Sequence, residues 1–273
     1  MITRTGEECY RNRNSLVYST CFHRVVSLLT LSSSQSVSDI DVFVLAGGMG
    51  TRLRGVLADA PKVLAPILGK PFLEHLIRWL AGQGCRRITL GLGYRAPLVV
   101  EWLATAHMPD IDVRTVVEPE PLGTGGALAF ARSRLTSNPV LVINGDTVVE
   151  ADLNAFLSSH LEAKTEASIL SVKVDNAGRY GMLQIDSANR VVRFDEKDVN
   201  ATGSHWINAG FYLFSEGLLD RVAGRIHKGS LERDILEEMP AGSVLAFRTE
   251  GRFLDIGTPE TLALAPELLG GIA

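Results

Sequence analysis

The sequence has no excess of positive charge. Its 27 Lys and Arg against 31 Asp and Glu leave a formal charge of −4, which excludes nucleic acid as the main partner, since that partner selects basic surfaces. Cysteine is scarce. Cys9, Cys21 and Cys85 form an odd set with no C-x-x-C pair, which argues against a disulfide framework or a zinc site and fits a reducing cytoplasm. No apolar run approaches the roughly 20 residues needed to span a bilayer, so no membrane partner is expected. No G-x-x-x-x-G-K-[ST] occurs, which removes the Walker phosphate loop. The histidines show no metal-ligand spacing, and no internal or hexapeptide repeat builds an appended parallel β-helix. What remains is 273 residues, 46% of them hydrophobic, ample for the core of one large α/β domain or two small ones.

The chain is organised around residues 42–53, Val-Phe-Val-Leu-Ala-Gly-Gly-Met-Gly-Thr-Arg-Leu. The apolar start reads as a buried parallel strand. Gly47, Gly48 and Gly50 follow and let the backbone come close to a ligand. Amides bared by such a turn cradle phosphate oxygens. Thr51 adds a hydroxyl, and Arg52 a fork-shaped charge suited to phosphate. A plain strand-to-helix turn is the alternative. A dinucleotide fingerprint needs a third glycine where Leu53 stands. Lys62, behind Pro61, places a second cation close after the glycines and favours the phosphate reading.

Residues 1–39 differ from the rest, mixing arginines with many serines and threonines. The apolar stretch 25–31 starts late for a signal peptide and lacks a small-x-small cleavage site. A disordered or loosely packed extension, dispensable up to residue 38, is expected; a translation start placed too far upstream is the alternative. From Ile40 strands and helices alternate. Helices are expected over 71–83, 98–103, 125–135 and 152–161, and strands over 88–92, 113–117 and 140–143. This order implies a parallel sheet covered on both faces, with ligands beyond the carboxyl ends of its strands. The second half is richer in strands: 169–174, a hairpin of 182–185 with 191–194, then 207–214 and 244–247. Ser230 is placed to cap a helix running to Met239. Thr258-Pro259-Glu260 opens the last helix with an N-cap, a proline and an acid.

Two carboxylates stand just beyond strands, Asp146 in Asn-Gly-Asp and Asp255 in Leu-Asp-Ile-Gly. Each alone is as well read as a turn cap. As a pair beside a phosphate loop and Lys62 they suit Mg²⁺, which prefers a few carboxylates with phosphate oxygens and water. Residues 118–127 form a second glycine-rich turn, with Glu118, Gly123 and Thr124, where something flat such as a nucleobase can approach. An ordinary helix N-terminus is the alternative. Glu196 and Lys197 suit a sugar hydroxyl and a sugar phosphate, or are a solvated surface pair. Arg179-Tyr180-Gly181 can line that pocket or form a simple turn. Asn208, inside an apolar strand, needs a hydrogen-bonding partner and is equally a structural amide or a sugar contact. Cys85 has no base near it in sequence, and no covalent catalysis is expected.

Taken in order, residues 45–54, Pro61-Lys62, 123–127, 144–147, Glu196-Lys197 and 255–259 resemble the motifs of the sugar-1-phosphate nucleotidyltransferases. The resemblance covers about 41–268. It implies an α/β, Rossmann-like nucleotidyltransferase fold over 40–273: a mostly parallel mixed sheet flanked by helices, with a small β-rich sugar-binding part. It implies Mg²⁺ dependence and release of pyrophosphate in nucleotide-sugar biosynthesis for a lipopolysaccharide or surface polysaccharide. Leu45, Ala46, Gly47, Gly48, Gly50, Thr51 and Arg52 are implied to hold the triphosphate, with Lys62 neutralising the reacting phosphates. Asp146 and Asp255 are implied metal ligands, and Asp146, Lys62 and Arg52 the catalytic set. Gly181, Glu196, Lys197 and Asn208 are implied to grip the sugar phosphate and sugar.

The nucleophile is then the sugar phosphate itself. The substrates implied are a nucleoside triphosphate and a sugar 1-phosphate, GTP with a manno-heptose 1-phosphate. Mannose 1-phosphate with GTP, a hexose 1-phosphate with UTP, and a non-catalytic nucleotide-sugar-binding subunit are the alternatives; homo-oligomerisation stays open. Glu118 stands where thymidylyl relatives resemble one another in carrying glutamine. A carboxylate only accepts hydrogen bonds, which suits the paired N1–H and 2-amino donors of guanine and not the carbonyls of a pyrimidine.

Overall fold

The computed structural model describes residues 35–57, 60–108, 110–175, 177–195 and 202–270. Residues 1–34, Glu196 and Lys197 lie outside that set. In chain order the strands are β1 (Asp41–Leu45), β2 (Pro66–Ile67), β3 (Lys70–Pro71), β4 (Arg87–Leu92), β5 (Asp112–Val117), β6 (Val140–Asn144) and β7 (Thr147–Val149). They continue with β8 (Ala167–Asp175), β9 (Met182–Ile185), β10 (Arg190–Asp195), β11 (Ser204–Phe214), β12 (Val244–Thr249) and β13 (Phe253–Asp255). The helices are α1 (Arg54–Leu57), α2 (Phe72–Gly82), α3 (Ala96–Thr105), α4 (Gly123–Ala131), α5 (Leu153–Ala163), α6 (Glu216–Arg225) and α7 (Pro259–Leu269).

A nine-stranded sheet runs in the order β5-β4-β1-β6-β11-β8-β12-β10-β9. Its first four strands are parallel, as the β-α alternation predicts. Beyond β6 the pairings turn antiparallel, except for β12 alongside β8. The sheet is mixed, and its parallel character belongs mainly to the first half. The β9–β10 hairpin forms as predicted but extends this same sheet through β12 and β11, so the β-rich part is not a sheet of its own.

Both faces of the sheet are covered, which explains why β1 and β6 read as unbroken apolar runs. Val42, Val44, Leu141 and Ile143 enter one core with Leu73, Leu76, Ile77 and Phe156. Phe43, Val140 and Val142 enter the other with Leu128, Leu219 and Tyr212. α2 buries the stripe Phe72, Leu73, Leu76, Ile77 and Leu80 at helical spacing. Asp152 caps α5, accepting from the amides of Asn154 at 2.9 Å and Ala155 at 3.0 Å. Thr258 caps α7, with Pro259 in its first turn. The helix expected after Ser230 is instead a short π-type turn, Glu232–Leu236.

Asp41 is a structural clasp at the foot of β1. Burial alone would raise its carboxyl, but bonds from Arg87 and from the amides of Thr136 and Ser137 outweigh that and hold it below the usual carboxylate range. Residues 35–39 depart from the loosely packed reading. Ser36 caps a short turn, Val37–Asp39, in a reciprocal capping box. Val37 is 1% exposed and its amide donates to Asn154 at 3.1 Å. A truncation at residue 38 therefore removes a core side chain. Val37→Ala is expected to cost about 2 kcal/mol from lost burial, a fall of roughly 4–8 °C in the thermal midpoint; an unchanged midpoint would show that the turn adds nothing to the core.

Candidate active site

The parallel strands deliver three loops to one edge. β1 ends at Leu45, whose Cα partners are Gly91 in β4 and Asn144 in β6. Backbone bonds carry the registry past the strand ends: Ala46 donates to Gly91 and Gly145 to Leu45, both at 2.9 Å. Gly47 follows, packed so closely that a Cβ there would lie 2.6 Å from Oε1 of Glu118. Gly48 faces open space, and Gly50 turns the chain at φ +53° directly against the side chain of Lys62. Leu53 is buried and anchors the loop, while Thr51 and Arg52 are exposed.

Asp146 sits in the turn between β6 and β7. β7 pairs antiparallel with β13, placing Asp255 opposite Thr147, and the amide of Ile256 donates to the carbonyl of Asp146 at 3.0 Å. The small ladder thus joins two carboxylates that stand far apart in sequence. Lys62 pairs directly with Asp146 and lies 3.7 Å from Asp255. Burial and then the neighbouring Asp146 charge hold the Asp255 carboxyl above its usual range, with Lys62 and the Gly257 amide pulling the other way.

These groups border a cavity of about 680 Å³. Its lining includes Gly50, Thr51, Arg52, Lys62, Asp146 and Asp255, together with Tyr180, Gly181, Phe194, Asn208 and Glu232. The structure therefore brings the phosphate-loop cations, both acids, Gly181 and Asn208 to one space. Asn208 bonds on both sides of its amide, to Tyr212 and Gly210, each at 2.8 Å, which gives it the structural partner its burial requires while leaving it on the cavity wall.

Leu45, Ala46, Gly47, Gly48, Glu118, Gly123 and Thr124 fall outside that lining. Glu118 is half-buried beside Gly47, and its Oε2 accepts from the amide of Leu122 at 3.0 Å. Burial raises its carboxyl despite that bond. The turn at Gly123 packs against a distant part of the chain. The glycines make room for the chain itself: Cβ atoms on Gly123 and Gly126 would lie 2.4 Å from the carbonyl of Gly229 and 2.7 Å from that of His227. Thr124 accepts from the amide of Leu231 at 2.7 Å. Residues 227–231 thus pack against the turn on the side that Gly123 and Gly126 leave open.

Sequence reasoning did not single out Asn144 or Glu232 as site residues. Asn144 closes β6 on the cavity wall, and its buried Oδ1 has no hydrogen-bonding partner; its signal was a polar residue ending an apolar strand. Glu232 comes from a segment whose packing no local pattern reveals. Cys85 is buried, and burial pushes its thiol up to about 12 despite the nearby Arg86, so it is no nucleophile. Among the described residues, no helix is long and apolar enough to cross a membrane.

The donor set suits a hard divalent cation. Asp146, Asp255 and the unpartnered Asn144 oxygen offer oxygen ligands only, and the two acids already draw in a cation, Lys62. No group of three or more His, Cys, Asp or Glu side chains gathers among the described residues, so a metal here would complete its shell with phosphate and water oxygens.

A glycine turn beyond parallel strands, with a cation held between paired acids on the wall of a cavity, defines an α/β protein suited to phosphate group transfer. The profile of the nucleotidyl transferase family matches residues 42–269. The chain belongs to that family, whose members act on nucleoside triphosphates and sugar phosphates and use a divalent metal.

The chain is 32% identical over 222 residues to the D-glycero-alpha-D-manno-heptose 1-phosphate guanylyltransferase of Aneurinibacillus thermoaerophilus, covering 81% of this chain and 94% of that one. It is 32% identical over 239 residues to the mannose-1-phosphate guanylyltransferase of Mycobacterium tuberculosis, covering 86% of this chain and 66% of that one. The crystal structure of HddC from Yersinia pseudotuberculosis, complexed with GMP-PN, superposes with a TM-score of 0.76 at 38% identity, over 84% of this chain and 98% of that one.

Gly123→Ala is expected to destabilise by at least about 1–2 kcal/mol, the cost of its left-handed backbone alone, with the close Gly229 carbonyl adding to it. Gly55, where a Cβ would meet nothing within 4 Å, is the control, and Gly55→Ala is expected to be neutral or slightly stabilising. Urea midpoints of the two variants check this; equal midpoints would remove the packing role of Gly123.

Proposed function

We propose that this chain transfers GMP from GTP to D-glycero-α-D-manno-heptose 1-phosphate, yielding the nucleotide-sugar and pyrophosphate. The observation that carries the reading is the Lys62, Asp146 and Asp255 cluster opening onto the cavity that also holds Gly181 and Asn208. The choice of sugar and base leans on the heptose guanylyltransferases, which the chain spans almost whole, 94% and 96% of their lengths. Mannose 1-phosphate with GTP is the second reading, favoured by the mycobacterial relative. The reaction is assigned to the cytoplasm, where both phosphorylated substrates are made.

The sugar phosphate is the nucleophile and attacks the α-phosphorus in line. It is already anionic, so no side chain has to remove a proton. The work left to the protein is positioning and charge neutralisation. The loop amides at Gly47, Gly48 and Gly50, with Leu45 and Ala46 setting their level, hold the triphosphate beside Thr51 and Arg52. Lys62 neutralises charge at the reacting phosphates. Gly181, Asn208, Glu196 and Lys197 hold the sugar phosphate. Glu118 takes guanine donors with the carboxylate oxygen that Leu122 leaves free. Asp146 and Asp255 would hold Mg²⁺, which when bound supplies charge stabilisation at the transferring phosphate and orients the attack.

Pyrophosphate release with Mg²⁺, crossing GTP, ATP, UTP, CTP and dTTP against heptose, mannose and glucose 1-phosphates, tests this reading. The largest signal is expected for GTP with heptose 1-phosphate. A larger signal with mannose 1-phosphate would replace the sugar, and silence of folded protein with every pair would favour a non-catalytic binding subunit. Asp146→Ala is expected to lower kcat at least about 10²-fold, in the range of one lost charge-stabilising group, with the fold intact by circular dichroism; near-native Mg²⁺-dependent turnover would remove its role. Glu118→Gln is expected to shrink the preference for GTP over UTP, and an unchanged ratio would refute the base-reading argument.

A further inference from the structure

Glu232 receives donors on both carboxylate oxygens. Oε2 accepts from Ser230 Oγ at 2.8 Å and from Thr124 Oγ1 at 3.2 Å, and Oε1 accepts from the Tyr212 hydroxyl at 3.2 Å. The direction of each bond follows from its neighbours. The amide of Leu231 can only donate, so Thr124 accepts from it at 2.7 Å and its own proton must point elsewhere, to Glu232. On the other side the amide of Gly210 donates to Asn208 Oδ1, which fixes the amide orientation of Asn208. Asn208 Nδ2 then donates to the Tyr212 oxygen, and the Tyr212 proton goes to Glu232. The backbone amides set the two ends, and Glu232, a carboxylate that only accepts, receives the proton arriving from each side. Tyr212 is fully buried, and its hydroxyl has no route to water as a substitute.

The two ends of the chain differ in place. Thr124 lies on the turn that opens α4, next to Leu122, which bonds to Glu118. Asn208 lines the cavity that also holds Gly50, Thr51 and Arg52. With one Nδ2 hydrogen given to Tyr212, Asn208 keeps the second for an acceptor oxygen of a ligand in the cavity.

We propose that Glu232 is a positioning residue that ties the nucleotide side of the site to the sugar side. It is bonded to Thr124 directly and to Asn208 through Tyr212, so that a change at one substrate's pocket is felt at the other's. This rests on the proposed function, in which Glu118, bonded to the turn that holds Thr124, reads the base and Asn208 holds the sugar.

Glu232→Gln keeps the side-chain shape and turns one acceptor into a donor. It is expected to raise KM for both GTP and the sugar 1-phosphate about 3–30-fold, the range of coupling within one hydrogen-bond network. Thr124→Val, a change on the nucleotide side, is expected to raise KM for the sugar 1-phosphate in the native background and not in Glu232→Gln. An effect of Thr124→Val on the nucleotide alone, or an equal effect on the sugar in both backgrounds, would overturn the proposal. A purely structural Glu232 would lower stability without this crossed pattern. Should Glu232→Gln not fold, Tyr212→Phe carries the same test: it is expected to raise KM for GTP, and no change in that KM overturns the coupling.

Urea denaturation of Thr124→Val, Tyr212→Phe and the double variant needs no substrate. Their effects are expected to be non-additive, and additivity would overturn the network itself. Absence of pyrophosphate release from the native protein would instead remove the proposed function and leave this second measurement to judge Glu232.

Discussion

The site depends on β1 being bonded along both edges. Its parallel neighbours β4 and β6 hold it in register, and bonds from Ala46 to Gly91 and from Gly145 to Leu45 extend that register beyond the strands. The glycine loop after β1 and the acidic turn after β6 are therefore fixed at one level. Gly145 is where the two loops come close, since a Cβ there would stand 2.7 Å from the carbonyl of Leu45. A side chain at that position would push apart the glycine loop and the turn that carries Asp146.

The paired carboxylates are an electrostatic problem that the fold solves with cations. Asp146 and Asp255 are brought together by the β7–β13 ladder, and the Asp146 charge helps to hold the buried Asp255 carboxyl above its usual range. Lys62 reaches both, with its stem packed against the Gly50 turn, where a Cβ would stand 3.0 Å from its own. A second cation and the phosphates of a substrate fit the same balance. Transfer between two phosphates asks for little else, since the attacking group is charged from the start. This is why the cavity needs neither the buried Cys85 nor His160, whose imidazole burial keeps neutral by lowering it to about 4.

Much of this was legible in the chain. The apolar runs at residues 42–45 and 140–143 could be read as doubly covered parallel strands, because strands buried on both faces lose their alternation. The caps at Asp152 and Thr258 were equally plain, since capping is decided within a few residues. Glycines were less informative. At Gly50 and Gly47 they admit a close neighbour at the mouth of the site, but at Gly123 and Gly126 the neighbour is the segment 227–231 of the same chain. A glycine announces that something comes close, and only the fold says what.

The sequence by itself determined the α/β order, the level at which ligand-binding loops emerge, and the residue types able to handle phosphate and a hard metal. These follow from local periodicity, turn chemistry and charge, which act over a few residues. The tertiary structure alone decided that Asp255 meets Asp146, that Lys62 stands between them, that β9 and β10 prolong the main sheet, and that Glu232 links Thr124 to Asn208. Those contacts join segments from about twenty to more than a hundred residues apart, and no local preference carries the packing of such partners.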